Sequence, residues 1–125
     1  MMELKEGLSC TSEAVVSDAH SARHWGSGAL DVFATPAMVA LMENAAMNAV
    51  APALAEGSDT VGTAVDIQHT RATGMGDTVR ATATLKEIDG RKLLFEVTAC
   101  DSKGEIGKGS HTRFIVDREK FLSKL

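Results

Sequence analysis

From Thr35 to Gly57 the chain reads TPAMVALMENAAMNAVAPALAEG, a run dense in strong helix formers. Met38, Met42, Ala45, Ala46 and Ala49 recur at steps of three and four, while Val39, Leu41 and Met47 carry apolar surface almost round the axis. A helix apolar on every side is expected to be buried on every side. Thr35 suits the N-cap and Pro36 the first helical position, where no backbone N–H is needed; Pro52 and Gly57 close the segment. Downstream the period changes to two. Val61–Ala72, Thr78–Ile88, Lys92–Cys100 and Glu105–Val116 read as strands, with Asp89 and Gly90 forming a two-residue hairpin and Asp101–Gly104 the next turn. Upstream, Ser9–Ser17 reads as a further strand and Asp18–Asp31, rich in Ser, Gly, Ala and His, as a loop. The closing DREKFLSKL reads as a short helix.

The predicted order is strand, one long helix, then four strands with tight connections. One apolar helix beside an antiparallel meander is expected to pack as an α+β hotdog fold, a five-stranded antiparallel sheet wrapped around one long central helix. A single helix leaves sheet edges and its own flank bare. A homodimer, or a dimer of such dimers, is the expected remedy.

Composition narrows the classes. With 125 residues the chain is expected to be one domain over its whole length, since two halves would be too small to bury useful cores. A hydrophobic content of 44% argues against disorder, and with aromatics at 4% the core must be built from Ala, Val, Leu, Ile and Met. A net charge of −4, without a Lys/Arg stripe, argues against a nucleic-acid partner, although 13 cations leave room for a local phosphate contact. Cys10 and Cys100 have neither metal-ligand spacing nor a CxxC pattern, so reduced thiols in a cytoplasmic protein are the simpler reading. MMELKEGLSC has no apolar signal core, and the apolar stretch from Met38 to Ala55 is broken by Glu43, Asn44, Asn48 and Pro52. No membrane segment is expected.

Three residues could carry chemistry. Glu43 is a carboxylate in the middle of an apolar helix, so it is expected to be partnered, protonated or facing a cavity; a structural salt bridge explains it equally well. His69, in the strand segment IQHTRA, could form an acid–base pair with it, though a lone strand histidine is commonly structural. Thr35 is explained by capping alone, yet its hydroxyl lies at the positive end of the helix, where an acyl oxyanion would be stabilised. Eight residues of helix separate Thr35 from Glu43, a rise of roughly 12 Å. Both can touch one substrate only if it runs along the helix or if the site combines two subunits. Weaker signals fall away. His20 and His24 lie in SDAHSARHWGSG, which does not read as a helix, so no metal site is expected; GKGSHTR lacks the phosphate-loop pattern. Gly62, inside a strand pattern, marks a bulge or a close approach of backbone to ligand.

Together these residues resemble the hotdog thioesterases related to the fluoroacetyl-CoA-specific enzyme, over the span from Val32 to the C-terminal helix. VFATPAMVALMENAA resembles that family's helix-start motif, with Thr35 and Glu43 at its catalytic threonine and glutamate. VGTAVDIQHTRAT is similar to its next strand, with His69 at the catalytic histidine and Gly62 at a glycine bordering the acyl group. GKGSHTRFIV resembles its G-x-G-x-H-x-R stretch, with Arg113 at the arginine. The resemblance implies hydrolysis of a short acyl-CoA thioester in a cleft at a dimer interface, with Thr35, Glu43 and His69 catalytic and Gly62, Arg113 and Phe33 binding the substrate. Nucleophilic and water-activating routes remain open at this point, and no cofactor or metal is implied. Where the fluoroacetate enzyme carries a longer lid with phenylalanines, this chain has RHWGSGALDVF, which argues for a general acyl-CoA over a fluorinated one. A non-catalytic acyl-CoA-binding module and an enoyl-CoA hydratase are the alternatives.

Overall fold

The computed structural model describes residues 2–125. The element order is β1 (Ser9–Val15), α1 (Ala22–Trp25), α2 (Thr35–Val50), β2 (Ser58–His69), β3 (Thr78–Asp89), β4 (Lys92–Asp101), β5 (Gly104–Asp117) and α3 (Arg118–Ser123). The five strands form one sheet in the order β1-β3-β4-β5-β2, and every pairing is antiparallel. This is the expected α+β hotdog architecture: one long helix packed across one face of a five-stranded sheet.

Alternation places the core. Val79, Ala81, Ala83 and Leu85 of β3 and Leu93, Phe95, Val97 and Ala99 of β4 all point inward with no exposure. Met38, Met42, Ala45, Ala46, Ala49 and Val50 of α2 meet them from above. Small residues on both sides let helix and sheet approach closely, which is how a chain with few aromatics fills its interior. The helix lies chiefly over β1 and β3 and barely touches β2.

Three expectations need correction here. The helix is not covered on all sides: Ala40 is exposed, Met47 is 39% exposed, and Val39 and Leu41 are only half-buried. Leu41 packs against the margin of the core, and Ala40 and Leu41 border a cavity with Ala14 of β1, while Met47 stays open beside Thr60 and Val61 of β2. The segment read as a loop, Asp18–Asp31, contains a 3-10 turn at Asp18–His20 followed by α1. Ser21 caps α1 by accepting a hydrogen bond from the His24 amide, and Gly26 ends it with φ at 72°. Such a four-residue helix is too short to show a period, so its caps were the only readable signal. The strand read as Val61–Ala72 is also displaced, running from Ser58 to His69.

At the sheet's edges, β1 and β2 each have one unpaired side. Over Gly62–Asp66 every residue of β2 is exposed, so both of its faces and its free edge are open together. Among the described residues, no helix is long and apolar enough to cross a membrane.

Candidate active site

Backbone geometry decides what Thr35 does. Ala34, extended at φ −77° and ψ 143°, is the N-cap, and its carbonyl accepts the Met38 amide at 3.0 Å. Thr35 is therefore the first helical residue and Pro36 the second, one place later than expected, and no side chain caps the helix. Freed from capping, the Thr35 hydroxyl lies 2.8 Å from Nδ1 of His69, the last residue of β2. Phe33, buried, meets the imidazole edge-on with ring centroids 6.3 Å apart. Thr35, His69 and Phe33 line a cavity of about 310 Å³. His69 Nε2 is buried with no hydrogen-bond partner among the described residues, an unusual state for a polar atom and one typical of a site that awaits a ligand. Burial holds the His69 pKa below its ordinary 6.5, with the Arg71 backbone acting the other way. Its resting form is the neutral imidazole.

Glu43 belongs to a second cluster, half the length of α2 from Thr35. Its Oε2 lies 3.4 Å from Arg113 Nη1, and its side chain is 38% exposed, so it is partnered and open to solvent rather than enclosed in the core. Arg113 is buried, and each of its three nitrogens is engaged: Nε donates to Thr60 Oγ1 at 2.8 Å, Nη2 to the Thr60 carbonyl at 2.9 Å, and Nη1 to His111 Nε2 at 3.2 Å. Burial works against the Arg113 charge and Glu43 supports it. Arg113 thus reaches the carboxylate from behind and holds it in place.

His111 was missed in the sequence, although two-residue alternation puts it on the same face of β5 as Arg113. It is 1% exposed. Its Nδ1–H donates to the Ala64 carbonyl at 2.8 Å, which leaves Nε2 as the acceptor for Arg113. Burial is the largest influence holding its pKa below 6.5, and Arg113 adds to this against the Ala64 carbonyl and Glu43. The 3.8 Å approach of His111 Nε2 to Glu43 is accordingly a contact of a neutral ring.

The glycines of G-x-G-x-H-x-R lie on this inner face too. A Cβ at Gly107 would stand 2.7 Å from Met38 Sδ, so the glycine lets α2 settle on the sheet. Gly62 sits at the bulge between Gly62 and Ala64 in β2, where a Cβ would fall 2.5 Å from Glu43 Oε2. The bulge expected at Gly62 is present, and the group its backbone approaches closely is the Glu43 carboxylate. Among the described residues no group of three His, Cys, Asp or Glu side chains could hold a metal ion.

The structure therefore brings Thr35, His69 and Phe33 together, and separately Glu43, Gly62 and Arg113. It does not join the two groups within one chain.

A fluoroacetyl-CoA thioesterase from Streptantibioticus cattleyicolor is 46% identical over 95 residues, covering 76% of this chain and 68% of that protein. A solved structure of the fluoroacetyl-CoA thioesterase FlK superposes with a TM-score of 0.92 at 39% identity, covering 98% of this chain and 96% of that one. A thioesterase superfamily member from Thermus thermophilus superposes with a TM-score of 0.90 at 28% identity, covering 99% and 92%. The family model for fluoroacetyl-CoA-specific thioesterases matches residues 16–119, and this chain belongs to that family.

Proposed function

We propose that this protein hydrolyses a short-chain acyl-CoA thioester to the free acid and CoA, in a groove formed between two copies of the chain. The observation that carries the proposal is the Thr35–His69 pair on the wall of a cavity, with the buried Nε2 of His69 left without a partner. FlK variants solved with acetyl-CoA, and with fluoroacetate and CoA, support a small CoA thioester as the ligand class.

The open edge of β2 supports the assembly. Two β2 strands paired antiparallel about a two-fold axis near Thr63 would place the His69 end of each strand beside the Ser58 end of the other. The Thr35–His69 pair of one copy then approaches the Glu43–Arg113 cluster of the second copy, which closes the gap left within a single chain. Met47 of α2, open beside Thr60 and Val61 of β2, would be covered by the same contact.

In that groove the Thr35 hydroxyl accepts from His69 Nδ1–H and so leaves Nε2 free as a base. Nε2 takes a proton from water as the water oxygen bonds to the thioester carbon. The C–S bond breaks, and the imidazolium returns that proton to the departing thiolate. Glu43, fixed by Arg113, accepts the second O–H of the water and offsets the charge on the imidazolium. The bulge at Gly62 leaves room for the thioester carbonyl, and Phe33 forms the apolar wall. This route uses protein groups and water alone.

The test is thiol release from a panel of acetyl- to hexanoyl-CoA, set beside absorbance loss from an enoyl-CoA. Thiol release from the shorter thioesters is expected. Loss of enoyl absorbance without thiol release would indicate a hydratase, and binding without either would indicate a carrier. Light scattering should give a dimer at micromolar concentration, and a stable monomer there would remove the shared groove.

Thr35 provides a separate check. Because it is not a cap, Thr35→Ala should cost only the bond to His69, about 0.5–1.5 kcal/mol in thermal denaturation. Its rate per folded molecule should nevertheless fall by tenfold or more, and Thr35→Ser should recover most of both losses. A normal rate in folded Thr35→Ala would leave the hydroxyl no catalytic part.

A further inference from the structure

The cavity around Thr35 and His69 has one formally charged residue on its wall, Arg71, and no acidic one among the described residues. Its position is built rather than incidental. The amides of Thr70 and Arg71 both donate to the Ile106 carbonyl, at 2.8 and 3.4 Å, which turns the chain out of β2 immediately after His69 and sets Arg71 on the cavity wall. The guanidinium is then anchored from behind. Nη2 donates to Asp101 Oδ1 at 2.9 Å, and the Asp101 side chain is 1% exposed while that of Arg71 is 36% exposed.

Asp101 does more than pair with Arg71. It also accepts from the Thr73 hydroxyl and the Lys103 amide, each at 2.8 Å. Burial alone would raise its pKa, but Lys103, Thr73 and Arg71 together hold it below its ordinary value. With its charge spread over three donors, Asp101 is a fixed anchor, and the outward edge of the guanidinium keeps its remaining N–H groups for a ligand at the mouth of the cavity.

A CoA thioester is a polyanion, and this chain carries a net charge of −4. Binding it needs local cations in the right place. Resting on the thioesterase reading above, we infer that Arg71, held by Asp101, is an anion clamp for the substrate at the rim of the catalytic cavity. The clamp engages phosphate oxygens of the CoA arm or a carboxylate on the acyl group, since a guanidinium recognises both by the same paired donors.

The experiment compares Arg71→Gln with wild type on acetyl-CoA, acetyl-pantetheine and succinyl-pantetheine, with CoA binding followed by calorimetry. If phosphate is the ligand, the preference for acetyl-CoA over acetyl-pantetheine in kcat/KM falls about tenfold or more in the variant, mainly through KM, and the Kd for CoA rises in step. If an acyl carboxylate is the ligand, the preference for succinyl- over acetyl-pantetheine falls instead. Arg71→Lys, which keeps a cation for Asp101, should fold as wild type and lose part of the same preference, so a folding defect in Arg71→Gln cannot imitate the result. Equal losses on all three substrates with an unchanged Kd for CoA would overturn the clamp and leave Arg71 a structural tie to Asp101. Should wild type release no thiol from any thioester, the thioesterase reading fails while the calorimetry still decides the clamp: an unchanged CoA affinity, or none in wild type, overturns it.

Discussion

His69→Ala should lower kcat by about 10²–10⁴-fold, the span that a positioned general acid–base contributes, and leave the fold intact. The ring sits at the end of β2, half-buried on a cavity wall, and its loss leaves open space beside Thr35 rather than an unpaired charge in the core. The same residue sets the acid limb of the pH profile. Burial holds its pKa below 6.5, so the neutral base persists below the pH at which an exposed histidine is half protonated. In wild type kcat/KM should therefore hold near pH 6.5 and fall only at lower pH. The linkage to stability has a definite sign: the unfolded chain binds the His69 proton more tightly, so its contribution is full above pH 6.5 and declines as pH falls toward the lower folded-state pKa. His111, depressed in the same way, adds to that decline. A variant with His69 removed that retains wild-type turnover, or that keeps the wild-type acid limb, would take the proton shuttle away from this residue.

The architecture was legible because its signals are long and periodic. Alternation in β3, β4 and β5 and the three-and-four spacing of α2 were each matched by an element within a few residues of the expected ends. Each residue of the candidate site could be singled out in the sequence, yet its grouping with the others could not. Thr35 before Pro36 has the local signature of a cap, and only the backbone of Ala34 shows that the helix begins one residue earlier, freeing the hydroxyl for a partner 34 residues away. Glu43 reads as a charge on an apolar helix, but its partner comes from β5, 70 residues on. Such contacts depend on sheet order, and the placement of β2 beside β5 rather than β3 is not written in any local pattern. His111 and Asp101 went unnoticed for a related reason, since a lone histidine in a strand and an aspartate at a turn look ordinary until burial and partners are known.

Glu43→Gln is the substitution that tests whether the two clusters work as one site. The amide is nearly isosteric, and Arg113 keeps its bonds to Thr60 and His111 without the carboxylate, so the fold should survive. With no negative charge beside the water and the imidazolium, kcat should fall by about 10²–10³-fold, the scale of losing one pre-aligned electrostatic partner. A second consequence follows only if Glu43 of one copy faces His69 of the other. Removing a nearby carboxylate lowers the affinity of an imidazole for its proton, so the residual activity should show its acid limb at lower pH than wild type. A Glu43 that merely braces Arg113 would move neither the rate nor that limb, and would show itself in melting temperature alone. The same logic gives a mixing test. Neither Glu43→Gln nor His69→Ala has a complete groove, but a heterodimer of the two pairs the intact Glu43 of one copy with the intact His69 of the other. Unfolding and refolding them together at equal concentration should restore about a quarter of wild-type activity, because roughly half of the dimers formed are mixed and each holds one complete groove of two. Refolded mixtures no more active than the separate variants would place Glu43 and His69 on the same chain's substrate, reached along the helix, and would remove the shared groove.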